Sequence, residues 1–180
     1  MTDGRSDVPE RAPMPLPDPV RILMLDCDGV LTDGGMYFDA SGQAMKRFDV
    51  KDGLALVQLA EMGFPTAVVS GDNSAISAKR CEVLRIKHVV LGRMDKETAV
   101  RELLEETGFP AESVVYVGDD VTDLPALRMV GLGVTVADAV DEVLAEADWV
   151  TRRSGGHGAV REVCVAIMKQ LAARAGGRSD

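Results

Sequence analysis

Short apolar runs rich in β-branched residues alternate along this chain with longer stretches of helical periodicity. The runs ILML at 22–25 and SVVYV at 113–117 have little polar alternation, as expected of strands buried on both faces of a parallel sheet. A helical stretch follows each such run, which is the sequence form of stacked βα units. The sequence therefore predicts an α/β fold, a doubly wound parallel sheet of the Rossmann-like type.

The same pattern predicts the individual elements. A β-hairpin is predicted after the first strand, because Met36–Phe38 and Ala44–Phe48 flank the turn-forming residues 39–42. We expect it to form a flap over the carboxyl ends of the strands, where ligands bind in open α/β sheets. The predicted strands are Arg21–Leu25, Pro65–Ser70, His88–Leu91, Ser113–Val117, Leu132–Val136 and Trp149–Thr151, and the predicted helices are Gly53–Met62, Ser74–Leu84, Glu97–Thr107, Thr122–Met129, Val140–Ala145 and Ala159–Leu171.

The chain of 180 residues has the length of one compact domain. Residues 1–19 hold five of the eight prolines and no apolar signal-peptide core, so they are predicted to form a disordered arm. The folded domain is predicted to span 20–171. A disordered tail is predicted at 172–180, where the apolar periodicity is lost.

Charge and cysteine content exclude several classes of protein. The formal net charge is −9, and a general nucleic-acid-binding surface needs clustered Lys and Arg instead. The sequence also contains no unbroken 18-residue apolar run of the kind that crosses a membrane. Cys27, Cys81 and Cys164 form no CxxC pair and are odd in number, which argues against a zinc site or a disulfide framework and favours a cytoplasmic protein.

Acidic residues follow two of the predicted strands. Asp26 and Asp28 come after the first strand, and Asp119, Asp120 and Asp123 come after the fourth. Carboxylates crowded at one edge of a sheet repel each other unless a cation holds them together. Because oxygen ligands favour a hard ion, the sequence predicts a Mg²⁺ site at this edge.

These residue types fit phosphate chemistry. Two roles are open for Asp26, either a metal ligand alone or a metal ligand that also attacks phosphorus as a nucleophile. Asp28 would then act as general acid and later as general base. Ser70, followed by Gly71, can hydrogen-bond phosphoryl oxygens with help from backbone N–H groups. Lys96 supplies a cation, although its place in the first turn of a helix opposes the helix dipole.

Four segments together resemble the motifs of the haloacid dehalogenase superfamily. They are DCDGV at 26–30, Ser70-Gly71, Lys96 and GDDVTD at 118–123. The hairpin MYFDASGQAMKRFDVKDG, the segment LGRMDKETA and the ending GGHGAVREV are similar to the small sugar-acid phosphatases of that superfamily, which have no cap domain. The resemblance covers residues 22–170.

The resemblance implies a role for each acidic residue. Asp26 would be the nucleophile and a Mg²⁺ ligand, and Asp28 the acid and base with its backbone carbonyl on the metal. Asp119 would be the third protein ligand, while Asp120 and Asp123 would orient the metal and its waters.

It also implies which residues contact the substrate. Ser70 and Lys96 would hold the transferring phosphoryl group. The implied substrate-binding residues are Gly71, Asp49, Val50, Lys51, Asp52, Gly53, Arg80 and His157, the last as a contact from a neighbouring subunit.

Two classes of substrate fit this subgroup. It includes phosphatases of 3-deoxy-D-manno-octulosonate 8-phosphate and of 9-phosphorylated nonulosonates such as sialic acids. Octulosonate phosphatases tend to carry an arginine directly after the Ser-Gly or Thr-Gly pair, whereas this chain carries Asp72. Acidic residues occur there in the nonulosonate branch, so this position favours a nonulosonate 9-phosphate.

The resemblance further implies a homotetramer with active sites at the subunit interfaces. The hairpins would meet centrally, and a neighbour's glycine-rich C-terminal loop would close each site against water.

A phosphomutase usually needs a cap, and a receiver domain needs an aspartate on its third strand, which His88–Leu91 lacks. The alternative from another class is a catalytically idle assembly or binding domain, such as a partner of a nucleotide-sugar synthetase.

Overall fold

The structure, a computed structural model, describes residues 15–176 of the chain. In chain order its strands are β1 (Ile22–Leu25), β2 (Thr32–Asp39), β3 (Gly42–Phe48), β4 (Thr66–Val69), β5 (His88–Val90), β6 (Val114–Gly118), β7 (Leu132–Thr135) and β8 (Trp149–Val150). Its α-helices are α1 (Val50–Glu61), α2 (Ala75–Val83), α3 (Lys96–Thr107), α4 (Leu124–Met129), α5 (Asp141–Glu146) and α6 (Ala159–Gly176).

Six of these strands form one parallel sheet in the order β5-β4-β1-β6-β7-β8. Every residue of β1, β4, β6 and β7 is buried, which explains why their sequences lack polar alternation. Each parallel neighbour is reached through a helical connection, as parallel pairing requires. The predicted α/β fold with a parallel sheet is confirmed.

The strand order places the ends of β1 and β6 side by side at the centre of the sheet. Leu25 pairs with Val117, so the residues that follow these two positions leave the sheet together. The chain turns outwards from β1 towards β4 on one side and towards β6 on the other, which makes this a topological switch point. Ligands of doubly wound sheets bind in the crevice at such a point.

Strands β2 and β3 form a separate antiparallel hairpin between β1 and α1. Its turn is stabilised by Asp39, whose Oδ1 accepts hydrogen bonds from the Ser41 N–H and hydroxyl at 2.8 and 2.6 Å. Gly42 closes the turn with a φ of 125°, which a side chain would disfavour. We call this hairpin the flap. Within residues 15–176 the connections around it contain no second domain.

Both ends of the domain differ from the sequence-based expectation. Helix α6 continues to Gly176, so its predicted end at Leu171 is too early. Leu16 packs against the core, and the Pro17 carbonyl accepts a hydrogen bond from Gln170 at 2.8 Å, so this part of the predicted disordered arm is ordered against α6. Residues 1–14 of the predicted arm and 177–180 of the predicted tail lie outside the described residues.

Smaller differences concern the helices. Helix α1 begins at Val50 rather than Gly53, because Asp49 caps it by accepting a hydrogen bond from the Lys51 N–H. The predicted helix Thr122–Met129 divides into a 3₁₀ turn at Val121–Asp123 and α4. Over the described range, no helix combines the length and apolar character needed to cross a membrane.

Candidate active site

The ends of β1 and β6 bring Asp26 and Asp119 together. Asp26 is 6% exposed, and its Oδ1 accepts a hydrogen bond from the Cys27 N–H at 2.6 Å. Gly29, in the loop after β1, has a φ of 83°, and a Cβ there would lie 2.0 Å from Asp119 Oδ2. A glycine is therefore required at position 29 on two grounds, backbone conformation and the approach of Asp119.

Lys96 and Asp123 complete a group of four residues that we call the buried acidic cluster, namely Asp26, Lys96, Asp119 and Asp123. Lys96 Nζ lies 2.8 Å from Asp26 Oδ2 and 2.6 Å from Asp123 Oδ1. The Lys96 side chain is 3% exposed, and α3 begins at this residue behind the N-cap Asp95. The unfavourable position of this cation near a helix N-terminus is thus compensated by two buried carboxylates.

Asp123 is held by more hydrogen bonds than the other members of the cluster. Its Oδ1 accepts hydrogen bonds from the hydroxyl of the buried Tyr116 and from Lys96, each at 2.6 Å. Its Oδ2 accepts from the backbone N–H groups of Asp119 and Asp120 at 3.1 and 3.2 Å. Asp123 therefore fixes the loop after β6, and it orients Asp119 through the hydrogen bond to the Asp119 backbone N–H.

The cluster is short of positive charge. Three carboxylates face one ammonium group, and the buried Asp119 Oδ1 has no hydrogen-bond partner among the described residues. Burial, together with the charges of Asp26 and Asp123, raises the pKa of Asp119 to about 8. Burial and the charge of Asp123 raise the pKa of Asp26 to about 6, although Lys96 opposes the shift.

This deficit is the mark of a site for a hard cation. Carboxylate oxygens of Asp26, Asp119 and Asp123 lie within 4.8 Å of one another. An unpartnered, buried carboxylate oxygen on Asp119 is costly without a ligand, and oxygen donors suit Mg²⁺. The donor set thus fits a magnesium ion, with Asp26 and Asp119 as the side chains that have capacity left for it.

The Asp120 side chain lies outside the buried acidic cluster. It is exposed and accepts a hydrogen bond from the Val121 N–H at 2.6 Å, which caps the 3₁₀ turn. The Asp120 backbone contacts Asp123 of the cluster, because the Asp120 N–H donates to Asp123 Oδ2 and the Asp120 carbonyl accepts from the Asp123 N–H at 2.8 Å.

Ser70 and Gly71 leave the end of β4, next to β1 in the sheet. Ser70 is 1% exposed, and its hydroxyl accepts a hydrogen bond from the Asp72 N–H at 3.1 Å. A Cβ at Gly71 would lie 2.4 Å from the sulfur of Met94, so the glycine lets the loop before α3 pass close by. Two strand ends and the α3 start, with Lys96, therefore converge around Asp26.

A second group of charges lies beside the first, and we call it the flap cluster: Asp28, Lys46, Asp72 and Ser77. Lys46 Nζ, on β3 of the flap, lies 2.7 Å from Asp28 Oδ2, 2.8 Å from Asp72 Oδ2 and 3.1 Å from Ser77 Oγ. The Lys46 side chain has no exposed surface. Burial alone would raise the pKa of Asp72, but hydrogen bonds from Lys46, Ser74 and Ser77 outweigh it and hold the pKa well below its ordinary value.

The sequence alone predicts no role for Lys46, Ser77 or Tyr116. The signal for Lys46 is weak but present, because a period of two puts it on the same strand face as the apolar Phe48. Ser77 and Tyr116 carry no comparable signal, since a serine in a helix and a tyrosine in a buried strand are ordinary.

The segment 49–53 and Arg80 lie together, in contact with each other. Arg80 Nη2 donates a hydrogen bond to the Asp49 carbonyl at 3.3 Å, and its guanidinium lies 5.2 Å from the centre of the Phe48 ring. A Cβ at Gly53 would lie 2.5 Å from Arg80 Nη2, so the glycine makes room for the arginine. The buried Arg80 Nε has no hydrogen-bond partner among the described residues.

The other predicted substrate contacts divide between surface and interior. Val50 and Lys51 are exposed at the start of α1. Asp52 is 1% exposed, and its carboxylate accepts hydrogen bonds from the N–H groups of Gly158 and Arg161, so it anchors the start of α6. His157 is exposed, and its Nδ1 lies 2.7 Å from the Gly155 carbonyl oxygen. Within one chain, none of these side chains contacts the buried acidic cluster.

Comparison with known proteins identifies the family. Residues 82–163 match a model described as haloacid dehalogenase-like hydrolase. The chain is 42% identical over 145 residues to the 3-deoxy-D-manno-octulosonate 8-phosphate phosphatase of Escherichia coli K12, an alignment that covers 81% of this chain and 77% of that protein.

The chain belongs to the haloacid dehalogenase-like hydrolases. The predicted resemblance is thereby confirmed, and so is the prediction of the enzyme class, a phosphoric monoester hydrolase. The phosphatase of the same name from Haemophilus influenzae is 41% identical over 150 residues, with 83% of each chain covered.

Solved structures of family members agree in fold. The 3-deoxy-D-manno-octulosonate 8-phosphate phosphatase from Moraxella catarrhalis, in complex with magnesium, phosphate and KDO, has a TM-score of 0.80 at 37% identity, covering 83% of this chain and 86% of that one. The cobalt-bound Haemophilus influenzae phosphatase has a TM-score of 0.81 at 41% identity, covering 84% and 89%. A magnesium ion in one relative and an acidic triad in this chain agree with the predicted cofactor.

Proposed function

We propose that this chain hydrolyses the phosphate ester of a small phosphorylated sugar acid, with Asp26 as the nucleophile. The observation that carries the proposal is the placement of Asp26: a buried carboxylate at the sheet's switch point, with Lys96 on one oxygen and Asp119 beside it. Asp28, two residues further along the chain, is the proposed general acid.

The protein side chains divide the work of a double displacement. Asp26 attacks phosphorus and forms an aspartyl phosphate, while Asp28, in its protonated form, donates a proton to the leaving sugar oxygen. Asp28, now a carboxylate, then removes a proton from the water that hydrolyses the aspartyl phosphate. Lys96 neutralises charge on Asp26, which reduces the repulsion between that carboxylate and the incoming phosphate.

Three further residues prepare the site. The Ser70 hydroxyl and the N–H of Gly71 would hold phosphoryl oxygens. Asp123 keeps Lys96 directed at Asp26. Mg²⁺ would be held by Asp26, Asp119 and the Asp28 backbone carbonyl, and when bound it supplies the positive charge that lets phosphate approach these carboxylates.

3-Deoxy-D-manno-octulosonate 8-phosphate is the first candidate substrate, because it is the substrate named for the relatives in E. coli, H. influenzae and M. catarrhalis. The Asp72 carboxylate argues less strongly against this substrate than the sequence suggests. Lys46 and two hydroxyls already bind it, so its charge is compensated before a substrate arrives. A nonulosonate 9-phosphate is the second candidate, favoured by the acidic side chain at position 72.

We also propose that the chain works as a homotetramer built through the flap. Met36, Phe38 and Met45 on the flap are 60–69% exposed, an apolar surface that a monomer leaves in water. A neighbouring subunit would bring His157 and its glycine-rich loop over the open site. Size-exclusion chromatography with light scattering measures the mass of the assembly and tests the proposed tetramer. The mass of a single chain would contradict it.

A substrate panel tests the proposed function. Phosphate release with Mg²⁺ is measured from octulosonate 8-phosphate, nonulosonate 9-phosphates, hexose phosphates and nucleotides, beside Asp26→Asn. We expect one sugar acid phosphate with kcat/KM of ~10⁴ M⁻¹s⁻¹ or more, and none with Asp26→Asn. Turnover that survives Asp26→Asn at the wild-type rate would overturn the mechanism, and no turnover on any substrate would favour an assembly or binding domain.

A further inference from the structure

A second pocket lies between the start of α1, helix α6 and the loop after β8. Its volume is about 630 Å³, within the ~300–1,000 Å³ typical of small-molecule sites. Trp149, Val165 and Ala166 form an apolar wall. No residue of the buried acidic cluster or of the flap cluster lines it.

The pocket is strongly basic in an acidic protein. Glu162 is its one lining carboxylate, and this side chain already accepts hydrogen bonds from the Arg152 backbone N–H at 3.1 and 3.3 Å. The whole chain has a net charge of −9, so the local charge is opposite to the global one. Five cations line the pocket: Lys51, Arg152, Arg153, Arg161 and Lys169.

Ion pairing separates these cations from the others of the chain. Among the seventeen Lys and Arg residues at 15–176, nine pair with an Asp or Glu of that range, namely Lys46, Arg47, Lys79, Arg85, Arg93, Lys96, Arg101, Arg128 and Arg174. Eight have no such partner there, and five of the eight are the pocket cations. The remaining three are Arg21, Arg80 and Lys87, which lie elsewhere.

The N-terminus of α6 is not the source of the positive charge in this pocket. Asp52 accepts hydrogen bonds from the N–H groups of Gly158 and Arg161, so the helix end has its own buried carboxylate. Cations held around one cavity repel each other, and that repulsion is relieved by an anion placed among them. Arginine guanidinium groups bind phosphate or carboxylate with two parallel hydrogen bonds, and three of the five cations are arginines.

We propose that this pocket binds a small polyanion that carries two or more phosphate or carboxylate groups. No lining residue belongs to the buried acidic cluster or to the flap cluster, although Lys51 is also a predicted substrate contact. The ligand is therefore a second one, held by the charge of the cations and by the apolar residues. The proposal does not depend on turnover, and its test therefore stands whether or not the proposed function holds.

Isothermal titration of the full chain, freed of Mg²⁺ on a chelating resin so that no soluble polycarboxylate is present, tests the proposal with inorganic triphosphate and citrate as probes. The pocket variant is Arg153→Gln/Lys169→Gln, two exposed cations. The matched control is Arg21→Gln/Lys87→Gln, which removes the same charge from two exposed, unpaired cations outside the pocket. Thermal unfolding of both variants verifies that they are folded.

We expect one site per chain, and an affinity at least about tenfold weaker in the pocket variant than in wild type and control. Triphosphate binding without citrate binding would identify a phosphate ligand, and equal binding of both would identify charge alone as the recognised feature. No binding, unchanged binding in the pocket variant, or equal losses in both variants would overturn the proposal.

Discussion

The buried acidic cluster and the flap cluster lie side by side, yet the pKa values of their carboxylates are shifted in opposite directions. Asp72 in the flap cluster accepts hydrogen bonds from Lys46, Ser74 and Ser77, which lower its pKa. Asp119 in the buried acidic cluster has an oxygen with no partner among the described residues, and its pKa is raised to about 8. The first arrangement is complete within the chain, whereas the second needs a cation from outside.

This difference assigns a separate task to each cluster. The incomplete cluster fits the metal and the nucleophile, because its unsatisfied oxygen is available for a new ligand. The complete cluster positions Asp28, since Lys46 ties that carboxylate to the flap. A flap movement would therefore be transmitted to the proposed acid and base, and the nucleophile would stay fixed by β1.

The comparison is tested most strongly by removing the proposed acid and base. Asp28→Asn keeps the shape of the side chain but cannot donate or accept the proton, so kcat is expected to fall by about 10²–10⁴-fold. Phosphate release under saturating substrate measures it. Asp33→Asn, at the start of β2, is the matched control and should retain nearly full activity. Equal rates in Asp28→Asn and wild type would remove Asp28 from the chemistry.

Removing the shared cation of the flap cluster should have an intermediate effect. Lys46→Gln leaves Asp28 and Asp72 without their ammonium partner, and we expect a loss of about 1–3 kcal/mol of unfolding free energy. Asp72→Asn in the Lys46→Gln background should restore part of it, because it removes one of the two uncompensated charges. Urea unfolding of both single variants and the double variant measures the coupling.

Lys79→Gln serves as control for this cycle, since Lys79 forms an exposed ion pair with Glu82 on the same helix that carries Ser77. Strictly additive effects of Lys46→Gln and Asp72→Asn would show that the flap cluster is not a unit.

The smallest expected effect concerns stability against pH. In the Mg²⁺-free protein, Asp119 keeps its proton up to about pH 8, whereas in the unfolded chain it titrates near its ordinary value of 3.8. The native state binds the extra proton between these values, so stability falls as the pH rises through this interval. Asp119→Asn removes that loss and should unfold at a higher temperature than wild type at pH 8, by about 2–4 °C for each kcal/mol.

Thermal unfolding in EDTA at pH 5 and pH 8 measures this, and the difference between variant and wild type should shrink at pH 5. Asp120→Asn, an exposed position where asparagine still caps the turn, should leave the unfolding temperature unchanged at both values. A lower unfolding temperature of Asp119→Asn at pH 8 would show that the cluster is satisfied without a cation.

The sequence predicts the sheet and the strand-end residues well for a physical reason. Strands buried on both faces leave continuous apolar runs, and parallel strands release their next residues at one edge, so Asp26 and Asp119 could be placed together. Helix α3 begins at Lys96, one residue before the predicted helix Glu97–Thr107, because Asp95 caps it.

Contacts between distant elements carry no such signature. Lys46 contacts Asp72 and Ser77 only because the flap folds back towards α2. The alternation of side chains along a strand predicts which face a residue is on, but it does not predict how far a hairpin bends. Nothing in the sequence around Asp52 indicates a distant partner. In the structure its carboxylate anchors the start of α6. The sequence shows Asp72 only as an acidic residue, because its partner Lys46 lies on another element.

The central claim is that Asp26 receives the phosphoryl group in a site completed by Mg²⁺. Beryllium trifluoride, which mimics a phosphoryl group on a carboxylate, tests it through thermal unfolding with and without Mg²⁺. We predict a clear rise in the unfolding temperature of wild type with Mg²⁺ and beryllium fluoride together, and none in Asp26→Asn. An equal rise in Asp26→Asn, or a rise in wild type without Mg²⁺, would contradict the account.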